Sequence, residues 1–591
     1  MSRTTYAASS ADERARLRSL AGGVTGALEA LVTSDGFLHD PCADRSTPTD
    51  HYGAVLAALA LTHHDRNETA HVLLRQWSAL PAAQRGHEPF NRLGLGLLAG
   101  TLEQTTESDR VAAARTQCPL ARGYPSNNWS LLAQALRVRE ASPDRLPREQ
   151  HRLRSQVRAW TTRAGGFIDF PRHPDPQRGI ATPVAYHLKF LLCLHLALGR
   201  APDAELETAL MRGLDWLGLF LTDSGYCGGL GRSNHALFGD ACLLTVLHGL
   251  LLRPGALRPD TATEVLQVAR NLRQRLERQQ RDDGLLWLTP GGGCGEAAGW
   301  DGYMYLTVYN AWFAGLLSAT LAGHPWLSGT GLPDWSPAWN PGPGVTEDAE
   351  AGLLRYRGAR VDARISTRGQ AVQGFGRAVA DLRQAALCPF HVEVDGRPVV
   401  APPVRMAASH LQDEPAVAGW TPMVESAGGL FGLTRLDVLS VEPTDSGVTL
   451  TGSGAPVRLT RAPERTTLDR LQATLDWRLF GGRLGRRQAL RPATLADHRW
   501  QAQLTIDDQE ATLHYRLQLQ PTSADVPARW LNPHGTRRLA GDSEPSGDVH
   551  LSALGPAECR ADPPALWPAA GTTRKWQLRL TPSDAAASVF P

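Results

Sequence analysis

Very apolar runs recur along the first part of the chain: Tyr52–Leu61, Leu93–Leu102, Trp129–Val138, Val184–Leu198, Leu237–Leu251 and Tyr303–Leu321. Each reads as a helix. Between them lie polar, helix-periodic stretches such as Arg148–Thr162 and Ala262–Gln279. Neighbouring apolar runs start roughly 35 to 65 residues apart, room for one inner helix, one outer helix and their loops. A helix that is apolar all round is covered on most sides, whereas an amphipathic one is covered on one. The alternation therefore predicts concentric rings, an (α/α) toroid (an incomplete helical barrel) over residues 1–325. Glycine-rich turns punctuate it at Gly165-Gly166-Phe167, Gly225-Tyr226-Cys227-Gly228-Gly229, Asp283-Gly284-Leu285 and Gly291-Gly292-Gly293, where tight turns could form a cleft rim.

The pattern changes at residues 326–347, WLSGTGLPDWSPAWNPGPGVTE. Pro333, Pro337, Pro341 and Pro343 exclude a regular helix, so this reads as a linker that packs through Trp335 and Trp339. From 348 to 591 the period becomes two. His391–Val400 places Asp395-Gly396 at a hairpin turn. Leu513, Tyr515, Leu517 and Leu519 alternate with polar residues, as do Trp576, Leu578 and Leu580. The whole is an α+β multidomain chain, the toroid being followed by a C-terminal antiparallel β-sandwich.

Composition adds exclusions. At 591 residues the chain exceeds one core, and 42% apolar with 20% charged residues mark it as globular. The 61 basic and 59 acidic side chains leave a charge of +2 with no dense basic run, which speaks against nucleic acid as a partner. A local basic cavity for an anion is compatible with that total, because net charge is silent about distribution. No run reaches the ~18 apolar residues of a membrane span. Met1–Glu29 carries Asp12, Glu13, Arg14 and Arg16 and lacks the apolar core of a signal peptide. The eight cysteines form no CxxC pair, and Cys193 and Cys242 sit in apolar helices as small hydrophobes. Reduced thiols in a cytoplasmic protein are the expectation.

Two similar passages carry candidate chemistry. Asn127-Asn128-Trp129 follows Ser126, with Tyr186-His187 after Thr182-Pro183; Arg232-Ser233-Asn234-His235 is followed by Trp300-Asp301-Gly302-Tyr303-Met304-Tyr305. Ser126, Thr182 and Ser233 suit helix N-caps, so these groups would gather at helix N-termini, which favour an anion. An amide or guanidinium (Asn128, Asn234, Arg232) can stabilise charge building on a carboxylate. Imidazole or phenolate (His187, His235, Tyr186, Tyr303) can take a carbon-bound proton, and a phenol can protonate a leaving oxygen. No metal or organic cofactor is required. The expected catalytic residues are Asn128, Tyr186, His187, Asn234, His235 and Tyr303. Asn127, Trp129, His173, Arg232, Trp300 and Tyr305 would bind an anionic poly- or oligosaccharide. The opposing reading of each is a packed or capping residue; His195 and His248 are assigned to that class.

With these residues the chain resembles polysaccharide lyases built from an (α/α) toroid and a β-sandwich. Ser233-Asn234-His235 before a long apolar helix resembles the Asn-His motif of heparinase II/III-like and alginate lyases. Asn128-Trp129, Gly165-Gly166-Phe167-Ile168-Asp169 and Tyr186 with His173 or His187 are similar to the hyaluronate and chondroitin AC lyase pattern. The resemblance implies β-elimination on a uronic-acid glycan. It also implies a zinc site in the sandwich of heparinase II-like enzymes, but His391, His410, His498, His514, His534 and His550 show no compact ligand spacing.

The main rival is a toroidal glycoside hydrolase resembling unsaturated glucuronyl hydrolases. It would draw two carboxyl groups from Asp169, Asp240, Asp283, Glu296 and Asp301. A terpenoid-cyclase-like barrel is disfavoured by a single Gln-Trp-like stretch, residues 280–287, and no DxDD motif. A lanthionine-cyclase-like zinc site lacks the Cys-His pair. A non-catalytic carbohydrate-binding protein is the non-enzymatic alternative.

Overall fold

The computed structural model describes residues 3–102, 106–121, 123–124, 126–169, 184–222, 236–253, 255–289, 293–295, 300–329, 331–339, 342–367, 379–381, 387–400, 405–407, 423–426, 429–432, 436–458, 467–480, 483–484, 498–521, 529–532, 557–561 and 573–580. Twelve of its helices, α1 to α12, precede the long strands: Arg3–Ala30, Gly53–His63, Asn67–Ala79, Glu88–Ala99, Thr106–Thr116, Asn127–Glu140, Leu146–Trp160, Val184–Leu198, Ala204–Trp216, Ala236–Leu252, Pro259–Arg278 and Leu306–Leu321. The apolar runs are the even-numbered helices. Every residue of α8 and α12 is buried.

These six pack in cyclic order. α2 touches α4, α4 touches α6, and so on through α8 and α10 to α12, which returns to α2. Each is backed by an odd-numbered helix: α3 on α2, α5 on α4, α7 on α6, α9 on α8, α11 on α10, and α1 on α12. The backing helices are amphipathic for that reason. In α11 Val265, Leu266, Ala269, Leu272 and Leu276 form the buried stripe. Helix α1, which apolar periodicity does not single out, completes the sixth pair, so the circuit of helices is closed rather than incomplete.

Three outer helices leave through the same device. After α1, α7 and α11 the chain turns back through Val32↔Leu38, Thr161↔Phe167 and Gln280↔Leu286 bridges. Gly36, Gly165 and Gly284 take the turn with φ of 81°, 107° and 87°, values open to glycine and costly for other residues. At Gly165 a Cβ would also lie 2.5 Å from the Arg212 carbonyl. The first two hairpins end on a carboxylate that meets an inner helix start. Asp40 accepts from the Thr307 N–H and hydroxyl, both at 2.9 Å, and Asp169 accepts from the Asn128 N–H at 3.1 Å.

The later part of the chain is antiparallel sheet apart from one helix, Thr467–Phe480. One five-stranded sheet runs Gly344–Asp348, Leu353–Arg357, Val361–Ser366, Cys388–Val394, Arg397–Val400. A six-stranded sheet orders Val438–Thr444, Gly447–Gly454, His498–Asp507, Thr512–Pro521, Thr573–Leu580, Ala557–Ala561. The Asp395-Gly396 hairpin forms as its residues suggest, both at positive φ. The five-stranded sheet docks on the helices. Asp348 accepts from Thr162 Oγ1 at 2.6 Å and Trp216 Nε1 at 2.7 Å. Trp335 and Trp339 donate to Asp215 and the Leu214 carbonyl at 2.9 and 2.7 Å.

One expectation needs correction. Cys42 and Cys294 are joined in a disulfide across 252 residues of sequence, whereas reduced thiols were expected. Closure of the helical circuit brings the two together, and no local spacing announces it. Cys118, Cys193 and Cys242 are free and buried. Among the described residues no helix is long and apolar enough to cross a membrane.

Two outcomes follow for stability. Constraint of so long a loop predicts that Cys42→Ser, or reduction, lowers stability by about 2–4 kcal/mol; chemical unfolding with and without reductant checks it. His248 is wholly buried with neither ring nitrogen bonded among the described residues, and burial lowers its pKa to about 4. Its folded pKa lies below the unfolded value, so it contributes a loss of stability as pH falls from about 6.5 toward 4. His248→Leu should therefore match or exceed the parent by about 1 kcal/mol at pH 7 and lose less on acidification. Unfolding series at pH 7 and pH 5 measure both.

Candidate active site

The N-terminal ends of the inner helices meet at one mouth, which is lined with rings. Tyr305, just before α12, lies 5.1 Å from His51, before α2; His51 stacks on His87, before α4, at 4.5 Å; His87 lies 4.6 Å from Trp129 of α6. Below this arc Tyr52 stacks on Phe90 at 4.6 Å and shares a hydrogen bond with Tyr309. Burial raises both of these phenols well above their ordinary pKa, so they stay protonated. Burial also lowers His51 to about 4 and lowers His87. The mouth thus holds its imidazoles neutral at pH 7. Arg45 donates to the Tyr305 hydroxyl at 2.8 Å, and Cys42, three residues earlier, is the residue tied to Cys294.

Across the mouth two phenols meet. Tyr186 of α8 and Tyr303 have hydroxyls 3.2 Å apart, and the Tyr303 hydroxyl also approaches the Asp301 carboxylate at 3.4 Å. Tyr303 is 38% exposed while Tyr186 is 9% and Asp301 2%. Helix α12 begins only at Leu306. Tyr303 therefore lies in the turn before the helix, not in its apolar run, and reaches the α8 side from there.

Asn128 is placed differently from the carboxylate-binding role expected of it. Its Nδ2 donates to Asp169 Oδ1 at 2.6 Å and to Ser126 Oγ at 3.1 Å, and its Oδ1 accepts from Lys189 Nζ at 2.7 Å. With 3% exposure it is committed to its neighbours. Ser126 is the backbone N-cap of α6, but its side chain caps nothing; Asp169 takes that role from outside the helix. Asn127 donates to the Ile168 carbonyl at 2.8 Å, so it fastens the hairpin and does not face the mouth.

His187 turns away from the mouth as well. Its Nδ1 accepts from the Phe167 N–H at 3.1 Å, its Nε2 meets the Gly213 carbonyl at 2.9 Å, and burial holds its pKa near 3. It joins hairpin to outer helix. Trp300 is buried with Tyr305 beside the mouth. His173, Arg232, Asn234 and His235 lie outside the described residues, as does Glu296. Of the other carboxylates, Asp240 pairs with buried Arg275, and Asp283 serves its own turn through Arg281 and the Leu285 N–H.

Sequence reasoning missed Arg45, His51, Tyr52, His87 and Lys189. A signal for three of them was present: His51-Tyr52 and His87 precede apolar helices just as Tyr186-His187 opens one.

No protein-family model matches the sequence, and no curated protein matches it. Among solved structures the chain is similar to a GH76A α-1,6-mannanase from Salegentibacter sp. HEL1_6, at 11% identity over 51% of this chain and 98% of that one, with a TM-score of 0.38. A possible GH105 family member from Salmonella enterica serovar Paratyphi A matches at 14% identity, 52% and 94% coverage and a TM-score of 0.35. The chondroitin AC lyase of Streptomyces coelicolor A3 matches at 13% identity over 96% of this chain and 76% of that one, with a TM-score of 0.39. All three are carbohydrate-processing enzymes by description; at these values the likenesses transfer no activity to this chain.

Proposed function

We propose that the helical circuit is the catalytic (α/α) toroid, residues 1–325, of a lyase that cleaves a uronic-acid-containing oligo- or polysaccharide by β-elimination. The linker 326–347 and the sheets of 348–591, read as a sandwich, brace it. The observation that carries this reading is the contact of Tyr186 with Tyr303 at 3.2 Å at the N-terminal ends of the inner helices.

Tyr186 sits in the first turn of α8, at the helix's positive end, within hydrogen-bond reach of Tyr303. Tyr186 as base takes the proton at C5 of the uronate. Electrons move to form the C4–C5 double bond, and the oxygen at C4 leaves, protonated by the more exposed Tyr303. Afterwards Tyr186 carries the proton taken from C5, and Tyr303, having given its own to the leaving oxygen, is the phenolate. Transfer across the phenol pair restores both without a further group. Charge that builds on the uronate carboxylate meets several helix N-termini, with Arg232 and Asn234 assigned from sequence to hold it and His235 as the alternative base. Trp129 and Tyr305 are assigned to sugar stacking. The disulfide favours an oxidising compartment over the cytoplasm.

A second reading rests on Asp301, buried beneath Tyr303, and on Asp169. Hydrolysis would use such carboxyls as acid and base.

Screening uronate glycans while following the ultraviolet absorbance of a new C4–C5 double bond separates the two. Elimination predicts absorbing products, and Tyr186→Phe and Tyr303→Phe each slower by about 10²–10⁴-fold with Asp301→Asn affected less. Reducing ends without that absorbance, lost in Asp301→Asn or Asp169→Asn but kept in the Tyr variants, would establish hydrolysis.

A further inference from the structure

Only two of the 61 basic side chains are lysines, Lys189 and Lys575; the rest are arginine. One of the two is buried in the middle of the helical circuit, with 1% of its surface exposed. Its ammonium donates to Asn128 Oδ1 at 2.7 Å and lies 4.1 Å from the centre of the Phe90 ring. Asn128 in turn donates to Asp169, both through Nδ2 and through its backbone N–H. A cation on α8, one turn along from Tyr186, is therefore joined through one amide to an anion that caps α6.

We propose that Lys189 is the positioning residue of the mouth: through Asn128 it holds Asp169 as the cap of α6 and supplies fixed positive charge beneath the bound anionic sugar. The sugar-binding part of this role rests on the elimination reading, whereas the Lys189–Asn128–Asp169 unit does not.

An isolated charge in such surroundings would be expelled or neutralised. Here it is retained by a charge-assisted hydrogen bond, the face of Phe90 and the nearby carboxylate. The amide of Asn128 has one orientation compatible with both neighbours, oxygen to the ammonium and nitrogen to the carboxylate. That explains why Asn128 cannot also reach a substrate. A guanidinium needs several acceptors in one plane, and one amide oxygen suits a compact ammonium instead, which accounts for lysine in a chain that otherwise uses arginine. The titratable groups around it are Asp169 from the hairpin after α7, Cys193 one turn along α8, Cys242 of α10 and His87 before α4. Burial lowers the ammonium to about 8, against the opposing pull of Cys193 and Asp169.

The test uses the whole protein labelled with ¹³Cε-lysine, in which two signals are expected and Lys189→Met identifies one. The Lys189 signal should titrate near pH 8, and lower still in Asp169→Asn. A midpoint in the ordinary lysine range near 10.4 overturns the proposal. Because the folded pKa is the lower one, burial of the charged form costs stability below about pH 8, and the cost is relieved as pH rises to about 10.4. Lys189→Met should thus gain on the parent in melting temperature at pH 7 relative to pH 10; a gap that does not change with pH counts against the assignment. In the elimination assay the parent should slow above about pH 8. Lys189→Met should be at least tenfold slower with a raised KM and without that alkaline step. A parent-like rate and pH profile in Lys189→Met overturns the role in the site. If no uronate glycan yields absorbing product, the elimination reading fails, while the titration and melting arms still decide the lysine–amide–carboxylate unit.

Discussion

Six inner helices direct their N-terminal ends to one mouth, and each end presents backbone N–H groups with no partner inside its own helix. The closed circuit depends on how those donors are satisfied. Asp40 and Asp169 answer for α12 and α6, each delivered by a hairpin that returns from an outer helix. The carboxylates do more than cap. Asp40 fastens the segment after α1 to α12, the two ends of the circuit, and Asp169 fastens the segment after α7 to the inner helix it backs. Ring closure and capping are the same contacts.

That arrangement sets the electrostatics of the mouth. Helix N-termini contribute positive potential, Lys189 adds a buried cation, and the aromatic arc keeps water from dispersing either. His51 and His87 are held neutral by the same burial, so they add ring surface without adding charge. An anionic ligand with flat apolar faces fits such a place, and a uronate sugar has both properties. Tyr186 and Tyr303 bring their hydroxyls together at the same mouth. They come from α8 and from the turn before α12, the two inner helices that flank α10.

The sequence disclosed what is periodic and local. Runs such as Val184–Leu198 are apolar on every side, and that property alone demands an inner position; the β period at Leu513–Leu519 and the Asp395-Gly396 turn were equally visible. Helix α1 was hidden because its side chains are mostly polar and glycine interrupts it, and it is held by α12 and by the buried Glu13–Arg273 pair at 2.7 Å rather than by its own propensity. The disulfide was hidden because 252 residues separate its halves. Among site residues, Tyr186 and Tyr303 were named from residue type and place, yet their contact could not be. Asn128 and His187 were named on the same grounds and point elsewhere. An amide or imidazole at a helix start has two uses, to serve the fold or to serve a ligand, and only the neighbours decide.

Lys189 shows the reverse case, a residue with no motif around it whose meaning lies in where it is buried. Its position inside an apolar run would ordinarily mark a break in the pattern or a side chain that reaches for solvent. Neither occurs: α8 continues unbroken to Leu198, about two and a half turns further, and the ammonium ends on Asn128. A buried charge of this kind is unfavourable for folding taken alone, so its place in a wholly buried helix has to be explained by what it holds. It holds the amide, the amide holds the carboxylate, and the carboxylate holds the start of α6 beside Trp129. The same chain of contacts that caps α6 therefore ends beside the aromatic arc of the mouth.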